Sequence, residues 1–228
     1  MSLYDIGRLN QLLPVAGNYR NAEPFPHMII DEFADPAVLD RCLELLPAES
    51  HREWRLFQNG KRSFNSMKSL PSLVQDVFRE LNSPAFVGWL RAMTGIDDLT
   101  PDKTFGGAGI HVTPRKGKLD VHVDYNMHPD GRYRRVNCFL FLNRDWEEDW
   151  GGELELWDMQ KRDCVRRIVP RFNRFVMFGS TETSYHGHPK PLNCPPDRRR
   201  ISFACYYFSR SQPPDFKGKH STLYVRTG

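Results

Sequence analysis

The sequence predicts an α+β fold, mainly β, in which N-terminal helices support a β-rich core. Apolar residues recur at helical spacing over 36–95, whereas residues 104–209 are rich in Val, Ile, Phe and Tyr and are interrupted by Gly, Pro and Asn. The residue pattern over 104–209 is typical of the short strands of a sandwich, jelly roll or barrel. We therefore predict one domain with a support region (1–103), a β core (104–209) and a tail (210–228).

Composition narrows the functional classes. The 228 residues are 39% hydrophobic and 26% charged, as in an ordinary globular protein. A net charge of +4 gives no argument for a nucleic-acid partner but suits an anionic cosubstrate. Apolar runs are too short to cross a membrane, and the N-terminus lacks a signal-peptide pattern. The five dispersed cysteines, without a C-x-x-C pair, indicate reduced thiols in a cytoplasmic protein. For the oligomeric state, we expect a monomer or homodimer.

The support region begins with an irregular stretch over 1–25, followed by a strand over 27–33. Asp35 and Pro36 have the residue types of a helix N-cap and first helical position, and apolar residues follow at helical spacing. Leu70-Pro71 predicts the start of a second helix. Ser83-Pro84 predicts a third, which ends near Gly95.

In the β core, alternation and turn residues predict strands that are separated by short connections. The predicted strands cover residues 108–114, 121–124, 135–142, 153–157, 164–168, 174–178 and 200–208, with 223–225 as a candidate last strand.

Two side chains in the core point to a metal. Residues i and i+2 of a strand share a face, so His122 and Asp124 can present a nitrogen and an oxygen to one ion. Two imidazoles and a carboxylate are the ligand set that holds Fe(II) and leaves positions open for chemistry. Either His186 or His188 can supply the third ligand. An H-x-D tripeptide alone also fits a surface His and Asp near a turn.

The last long strand offers an anion-binding group. Arg200 and Ser202 begin one face of an alternating row, where they can hold a carboxylate through charge-assisted hydrogen bonds. Asn137 fits either a donor to a cosubstrate or a hydrogen-bonded core residue. Gly151-Gly152 indicates a turn with positive φ or a close backbone approach. His111 and Thr113 share a face and can reach the same pocket.

Taken in order, these residues resemble the Fe(II)- and 2-oxoglutarate-dependent dioxygenases of the prolyl-4-hydroxylase-like superfamily. The resemblance is dense over 105–209 and weaker before it. The matching pieces are His122-x-Asp124, Arg135…Phe141-Leu142-Asn143-x-x-Trp146, Gly151-Gly152-Glu153-Leu154, Pro170…Phe178, His186-Gly187 and Arg200-x-Ser202.

The resemblance implies a double-stranded β-helix (jelly-roll) core. It selects His122, Asp124 and His186 as metal ligands and assigns Arg200 to the distal carboxylate of 2-oxoglutarate. Asn137, Thr113 or Ser202 can provide the further contacts. Some relatives place a tyrosine where Phe141 stands, and Phe141 lacks the hydroxyl that touches the cosubstrate.

The implied reaction uses Fe(II), 2-oxoglutarate and O₂, with ascorbate as a candidate reductant, to hydroxylate an unactivated C–H bond and release succinate and CO₂. The substrate is a small molecule or a peptidyl residue, for which proline is one candidate. The expected substrate contacts are Tyr125, Asn126, His188 and His111. Two alternatives stay open at this point: a non-catalytic cupin-like binding module and a zinc-dependent hydrolase, although no H-E-x-x-H helix is present.

Overall fold

A computed structural model describes residues 3–160 and 162–225. The helices are α1 (Ile6–Asn10), α2 (Ala16–Arg20), α3 (Pro36–Glu44), α4 (Ser72–Leu81) and α5 (Pro84–Thr94). The strands are β1 (His27–Ile30), β2 (Arg55–Leu56), β3 (Arg62–Phe64), β4 (Thr100–Pro101), β5 (Gly109–Pro114), β6 (Leu119–Val123), β7 (Tyr133–Phe141), β8 (Leu154–Asp158), β9 (Asp163–Ile168), β10 (Arg174–Gly179), β11 (Tyr185–His188), β12 (Arg199–Ser209) and β13 (Leu223–Tyr224).

Two antiparallel sheets form the core. The larger sheet has the order β1-β10-β7-β12-β5-β3-β2, with β4 beside β12, and the smaller sheet has the order β13-β6-β11-β8-β9. Inward side chains of the larger sheet, including Phe141 and Phe178, pack against Leu154 and Leu156 of the smaller one. Two sheets packed in this way make a double-stranded β-helix, which confirms the predicted fold class.

The helices cover the outer face of the larger sheet. Phe86 of α5 and Phe78 of α4 share one apolar cluster with Phe175, Phe203 and Tyr207. The central strands are therefore buried on both faces. One face of β12 packs against the helices and is apolar, and the other faces the cavity and carries Arg200 and Ser202. Each fully buried aromatic side chain of this kind contributes about 1.5–3 kcal/mol to stability.

The predicted helix ends are confirmed by their caps. The Asp35 side chain accepts a hydrogen bond from the backbone N–H of Ala37, and the Ser83 Oγ accepts one from the N–H of Phe86. Gly95 ends α5 in the left-handed region with φ of 74°.

Some local predictions were wrong. Residues 1–25 contain α1 and α2, which are too short to show a helical stripe, and Leu9 and Tyr19 of these helices are buried. The predicted strands left out residues 185–188, but these form β11, which pairs with β6 and β8 on its two sides. β1 ends at Ile30 rather than 33, and β13 ends at Tyr224. The end of the predicted tail, 226–228, lies outside the described residues.

Within residues 3–160 and 162–225, the helices are too short and too polar to cross a lipid bilayer.

Candidate metal centre

Three potential metal ligands meet at one end of the smaller sheet. His122 of β6 lies directly opposite His186 of β11, and Asp124 follows β6 by one residue. The Asp124 carboxylate lies between the imidazoles: Oδ1 is 3.6 Å from His122 Nε2, and Oδ2 is 3.5 Å from His186 Nε2. One ligand atom from each residue falls within 4.8 Å of the others. The predicted grouping of His122, Asp124 and His186 is therefore present in the fold.

Backbone carbonyls orient both imidazoles. His122 Nδ1 lies 2.8 Å from the Asp120 carbonyl, and His186 Nδ1 lies 2.8 Å from the Ser184 carbonyl. A neutral imidazole that donates through Nδ1 carries its lone pair on Nε2, the atom that faces the centre. Burial and the neighbouring His122, opposed by Asp124, together lower the pKa of His186 to about 3, so His186 is neutral and able to bind a metal.

Two side chains hold the Asp124 carboxylate. Arg134 Nη2 lies 2.9 Å from Asp124 Oδ2, and the Asn137 side-chain amide donates to the same oxygen at 2.9 Å. Asn137 also accepts from Arg134 Nε at 2.8 Å, which closes a three-residue network. Burial opposes ionisation of Asp124, but Arg134 and the two imidazoles outweigh it and hold the Asp124 pKa well below its usual range.

The structure thus differs from the expectation that Asn137 contacts a cosubstrate. Its amide N–H faces Asp124 and its carbonyl oxygen faces Arg134, so the amide supports a ligand of the metal centre instead. The partner could not be predicted, because it depends on how β7 lies beside the end of β6.

Arg134 is a functional residue that the sequence did not reveal. Its guanidinium lies between two aromatic rings, 4.7 Å from the centroid of Tyr125 and 3.6 Å from that of Tyr206. Strict alternation from Asn137 would put Arg134 on the opposite face of β7. A register shift between Tyr207 and Phe208 leaves residue 135 without a partner and returns Arg134 to the inner face.

Arg200 marks the other end of the same cavity, which measures about 530 Å³ with its open mouth. Its Nε donates to the Gly152 carbonyl at 2.6 Å, and its guanidinium lies 4.9 Å from the centroid of Phe141. Gly152, at φ of 80°, makes this possible, because a Cβ there would come within 2.6 Å of Leu192 and 3.1 Å of Arg200. Burial lowers the pKa of Arg200 to about 10, which leaves the side chain charged at neutral pH. Within the described residues it forms no ion pair.

Polar atoms beside Arg200 also lack partners. Ser202 Oγ and His188 Nδ1 are buried, and neither makes a hydrogen bond within the described part of the chain. Burial and the cations Arg200 and Lys61 hold the pKa of His188 well below its usual range, so its imidazole is neutral. His111 lines this cavity too, with Nε2 2.9 Å from the Gly107 carbonyl. The cavity can therefore accept an anion at this end.

The remaining predicted contacts lie outside the cavity or at its edge. Tyr125 lines a neighbouring groove, and its hydroxyl donates to the Gly106 carbonyl at 2.9 Å. The Asn126 amide donates to Glu182 and to Gly218, and its oxygen accepts from the backbone N–H of His220. Asn126 therefore fastens the tail to the core instead of facing the metal centre, because the tail folds back beside β6 through β13.

A model of the "2OG-Fe(II) oxygenase superfamily" matches residues 108–208, which span the three ligands and Arg200. This match, over just under half of the chain, supports the predicted resemblance to this superfamily. Its members use Fe(II), 2-oxoglutarate and O₂. A mouse (Mus musculus) relative, "Prolyl 3-hydroxylase OGFOD1", is 26% identical over 200 residues that make up 85% of this chain. The chain spans only about a third (35%) of that relative's length.

Solved structures agree on the fold. A prolyl 4-hydroxylase from Phytophthora capsici aligns with a TM-score of 0.63 at 17% identity, covering 92% of this chain and 67% of that one. A prolyl hydroxylase from Trichoplax adhaerens, solved with a peptide fragment of hypoxia inducible factor, aligns with a TM-score of 0.62 at 18% identity, covering 90% and 92%.

The ligand set fits the metal of the superfamily. Two neutral imidazole nitrogens and one carboxylate are the donors of a facial Fe(II) site, and both Nε2 atoms face Asp124. The comparisons do not favour the cupin-like and zinc-hydrolase alternatives.

Proposed function

We propose that this chain is an Fe(II)- and 2-oxoglutarate-dependent hydroxylase that acts on a prolyl residue of a peptide or protein. The observation that carries the proposal is the pairing, inside one cavity, of a three-ligand metal centre with a buried arginine that has no carboxylate partner among the described residues. A bound dicarboxylate can reach both groups, and a buried unpaired charge is otherwise costly.

In this proposal His122, Asp124 and His186 hold Fe(II), and Arg200 with Ser202 holds the distal carboxylate of 2-oxoglutarate. When bound, iron, 2-oxoglutarate and O₂ supply the chemistry: one oxygen atom enters a substrate C–H bond, and the other enters succinate as CO₂ leaves. The protein orients the reactants and excludes water. Arg134 and Asn137 keep the Asp124 carboxylate ionised and aimed at the metal.

The support for a peptidyl-prolyl substrate comes from the relatives and from the surface. The mouse relative is named a prolyl 3-hydroxylase, and the Trichoplax structure contains a peptide. In this chain an open groove begins at Tyr125, next to Asp124, and continues past Met127, His128 and Lys219. An extended peptide can lie in such a groove and place one residue at the metal centre.

The test incubates the Fe(II)-loaded protein with 2-oxoglutarate, ascorbate and a panel of proline-containing peptides. We expect succinate release that is stimulated by a peptide, and a peptide mass gain of one oxygen atom on proline. Matched peptides with alanine for proline are the control. Succinate release that responds equally to both peptides would contradict the prolyl assignment, and no release under any condition would contradict the oxygenase activity.

We also propose a reducing, cytoplasmic setting. All five cysteines are free thiols, and four of them are buried. Fractionation of the native host with detection of this protein tests the location, and sedimentation equilibrium tests the expectation of a monomer or homodimer.

A further inference from the structure

We propose that Lys61 is a second cation for the distal carboxylate of 2-oxoglutarate, so that Lys61 and Arg200 hold that carboxylate from two sides. The assignment rests on the proposed function and adds a residue to its cosubstrate site. Lys61 lies outside the segment that matches the superfamily model, which covers 108–208.

The strand register places Lys61 in the same row as Arg200. Arg200 of β12 lies opposite Thr113 of β5, and Arg62 of β3 lies opposite Val112 on the other side of β5. Lys61, one residue before Arg62, therefore comes next to Thr113. Neighbouring strands are about 4.8 Å apart, so Arg200 and Lys61 flank Thr113 at about that spacing on each side. All three side chains line the cavity that contains the metal centre.

Among the described residues, the side chains that line this end of the cavity are hydrogen-bond donors and cations. Besides the two cations and the Thr113 hydroxyl, it contains the unpartnered Ser202 Oγ and the neutral His188. A carboxylate has about four lone-pair positions, more than one guanidinium occupies. A planar arginine fork and a lysine ammonium can therefore share one carboxylate without competing for the same lone pairs.

Lys61 has no competing partner nearby. Across the described residues it forms no ion pair, and its ammonium lies 5.6 Å from the centroid of the Phe57 ring. The Asp124 carboxylate, which raises the Lys61 pKa against the effect of burial, is already paired with Arg134. A partly buried ammonium with no fixed counter-ion is poised for an anionic ligand.

The turn that carries Lys61 is built to hold its position. The backbone N–H of Phe57 donates to the Lys61 carbonyl at 2.9 Å, and the Lys61 N–H donates to the Asn59 side chain at 3.1 Å. The turn is fastened to the β5–β6 connection by a hydrogen bond of 3.2 Å from the Lys118 N–H to the Asn59 carbonyl. Both anchors use the Lys61 backbone, so a substitution of its side chain leaves the hydrogen bonds of the turn in place.

The test measures the anaerobic binding of two ligands to the Fe(II)-loaded protein by calorimetry: 2-oxoglutarate, and 2-oxopentanoate, which lacks the distal carboxylate. We expect Lys61→Met to weaken 2-oxoglutarate binding about tenfold or more, as the loss of a charge-assisted hydrogen bond implies, and to leave 2-oxopentanoate binding unchanged. Lys61→Arg keeps the charge and should retain most of the affinity. Lys118→Met, on the adjoining connection and paired with Asp120, is the matched control.

Each other outcome overturns the assignment. Unchanged 2-oxoglutarate affinity in Lys61→Met would remove Lys61 from the site. Equal loss for both ligands would mean that Lys61 does not act on the distal carboxylate. If the wild-type protein binds Fe(II) but no 2-oxoglutarate, the proposed function itself fails, which distinguishes the two failures.

Discussion

Arg134 and Asp124 form a buried ion pair, with Nη2 2.9 Å from Oδ2, in which the carboxylate is also a candidate metal ligand. Arg134 is 2% exposed and its guanidinium lies between two tyrosine rings, so its position is fixed before any metal binds. Burial lowers the Arg134 pKa, but Asp124 and the two tyrosines raise it by more, so the net shift is upward. A permanent positive charge therefore faces one oxygen of Asp124 and leaves the other to the metal.

We expect Arg134→Gln to weaken Fe(II) binding about 10–100-fold, the usual effect of removing a residue that supports a metal ligand. Stability should fall as well, because the variant leaves Asp124 buried without its cation. Equilibrium dialysis with iron and thermal unfolding measure the two effects. Arg144→Gln, which breaks the exposed ion pair with Asp40, is the control and should leave metal binding unchanged.

His186 and His188 can be separated by a matched pair of variants. His186→Gln should abolish stoichiometric Fe(II) binding, because His186 Nε2 faces Asp124 at 3.5 Å. His188→Gln should retain the metal, because His188 lies two residues further along β11, opposite Leu119. The iron content of each variant, measured by mass spectrometry, shows which histidine binds the metal. Loss of iron in His188→Gln with iron retained in His186→Gln would reverse the ligand assignment.

Arg200→Met should weaken 2-oxoglutarate binding by about 30-fold or more, which corresponds to the loss of roughly 2 kcal/mol for a buried charged hydrogen bond. Iron binding should be preserved, since Arg200 contacts none of the three ligands. Anaerobic titration with 2-oxoglutarate measures the change. Arg198→Met, on an exposed neighbour in the same run of arginines, is the control; an equal loss there would point to general electrostatics instead.

Binding of 2-oxoglutarate should weaken above about pH 8. Burial, reinforced by Arg200 and Arg134 and opposed by Asp124, lowers the pKa of Lys61 to about 8. Below that pH Lys61 is charged and attracts the carboxylate; above it the side chain is neutral and the attraction is lost. The dissociation constant should then rise by up to about tenfold per pH unit.

The control for this pH dependence is Lys61→Met, in which the rise near pH 8 should be absent. Arg200, with a pKa of about 10, would begin to titrate only at higher pH. Proton uptake on binding, measured by calorimetry in buffers of different ionisation enthalpy, gives an independent reading. If the dissociation constant still rises near pH 8 in Lys61→Met, a group other than Lys61 causes the pH dependence.

Gly152→Ala should destabilise the fold and weaken 2-oxoglutarate binding together. Its positive φ costs about 1–2 kcal/mol for a residue with a Cβ, and the added carbon would also collide with Leu192 and displace Arg200. Gly131→Ala is a matched control, since Gly131 has φ of 87° but open space around it. Denaturant unfolding should show the strain in both variants and the extra loss only in Gly152→Ala.

Much of the site could be predicted because local patterns carried it. The i, i+2 spacing of His122 and Asp124 set them on one face of a strand, and alternation over 200–208 put Arg200 and Ser202 on the inner face. Asp35 was predictable as a cap for the same reason: a short polar side chain next to a helix start satisfies a nearby N–H. The selection of His186 over His188 came from the family resemblance.

What the sequence determined by itself was therefore the fold class, the ligand types and the cation on β12, since each depends on periodicity within a few residues. Tertiary structure alone decided the partners. Arg134 reached Asp124 through a register shift in β7, Asn137 found its partner at the end of β6, and Lys61 joined Arg200 across β5. Such relationships link residues far apart in the chain, and pairing and bulges between strands fix them, which no local pattern encodes.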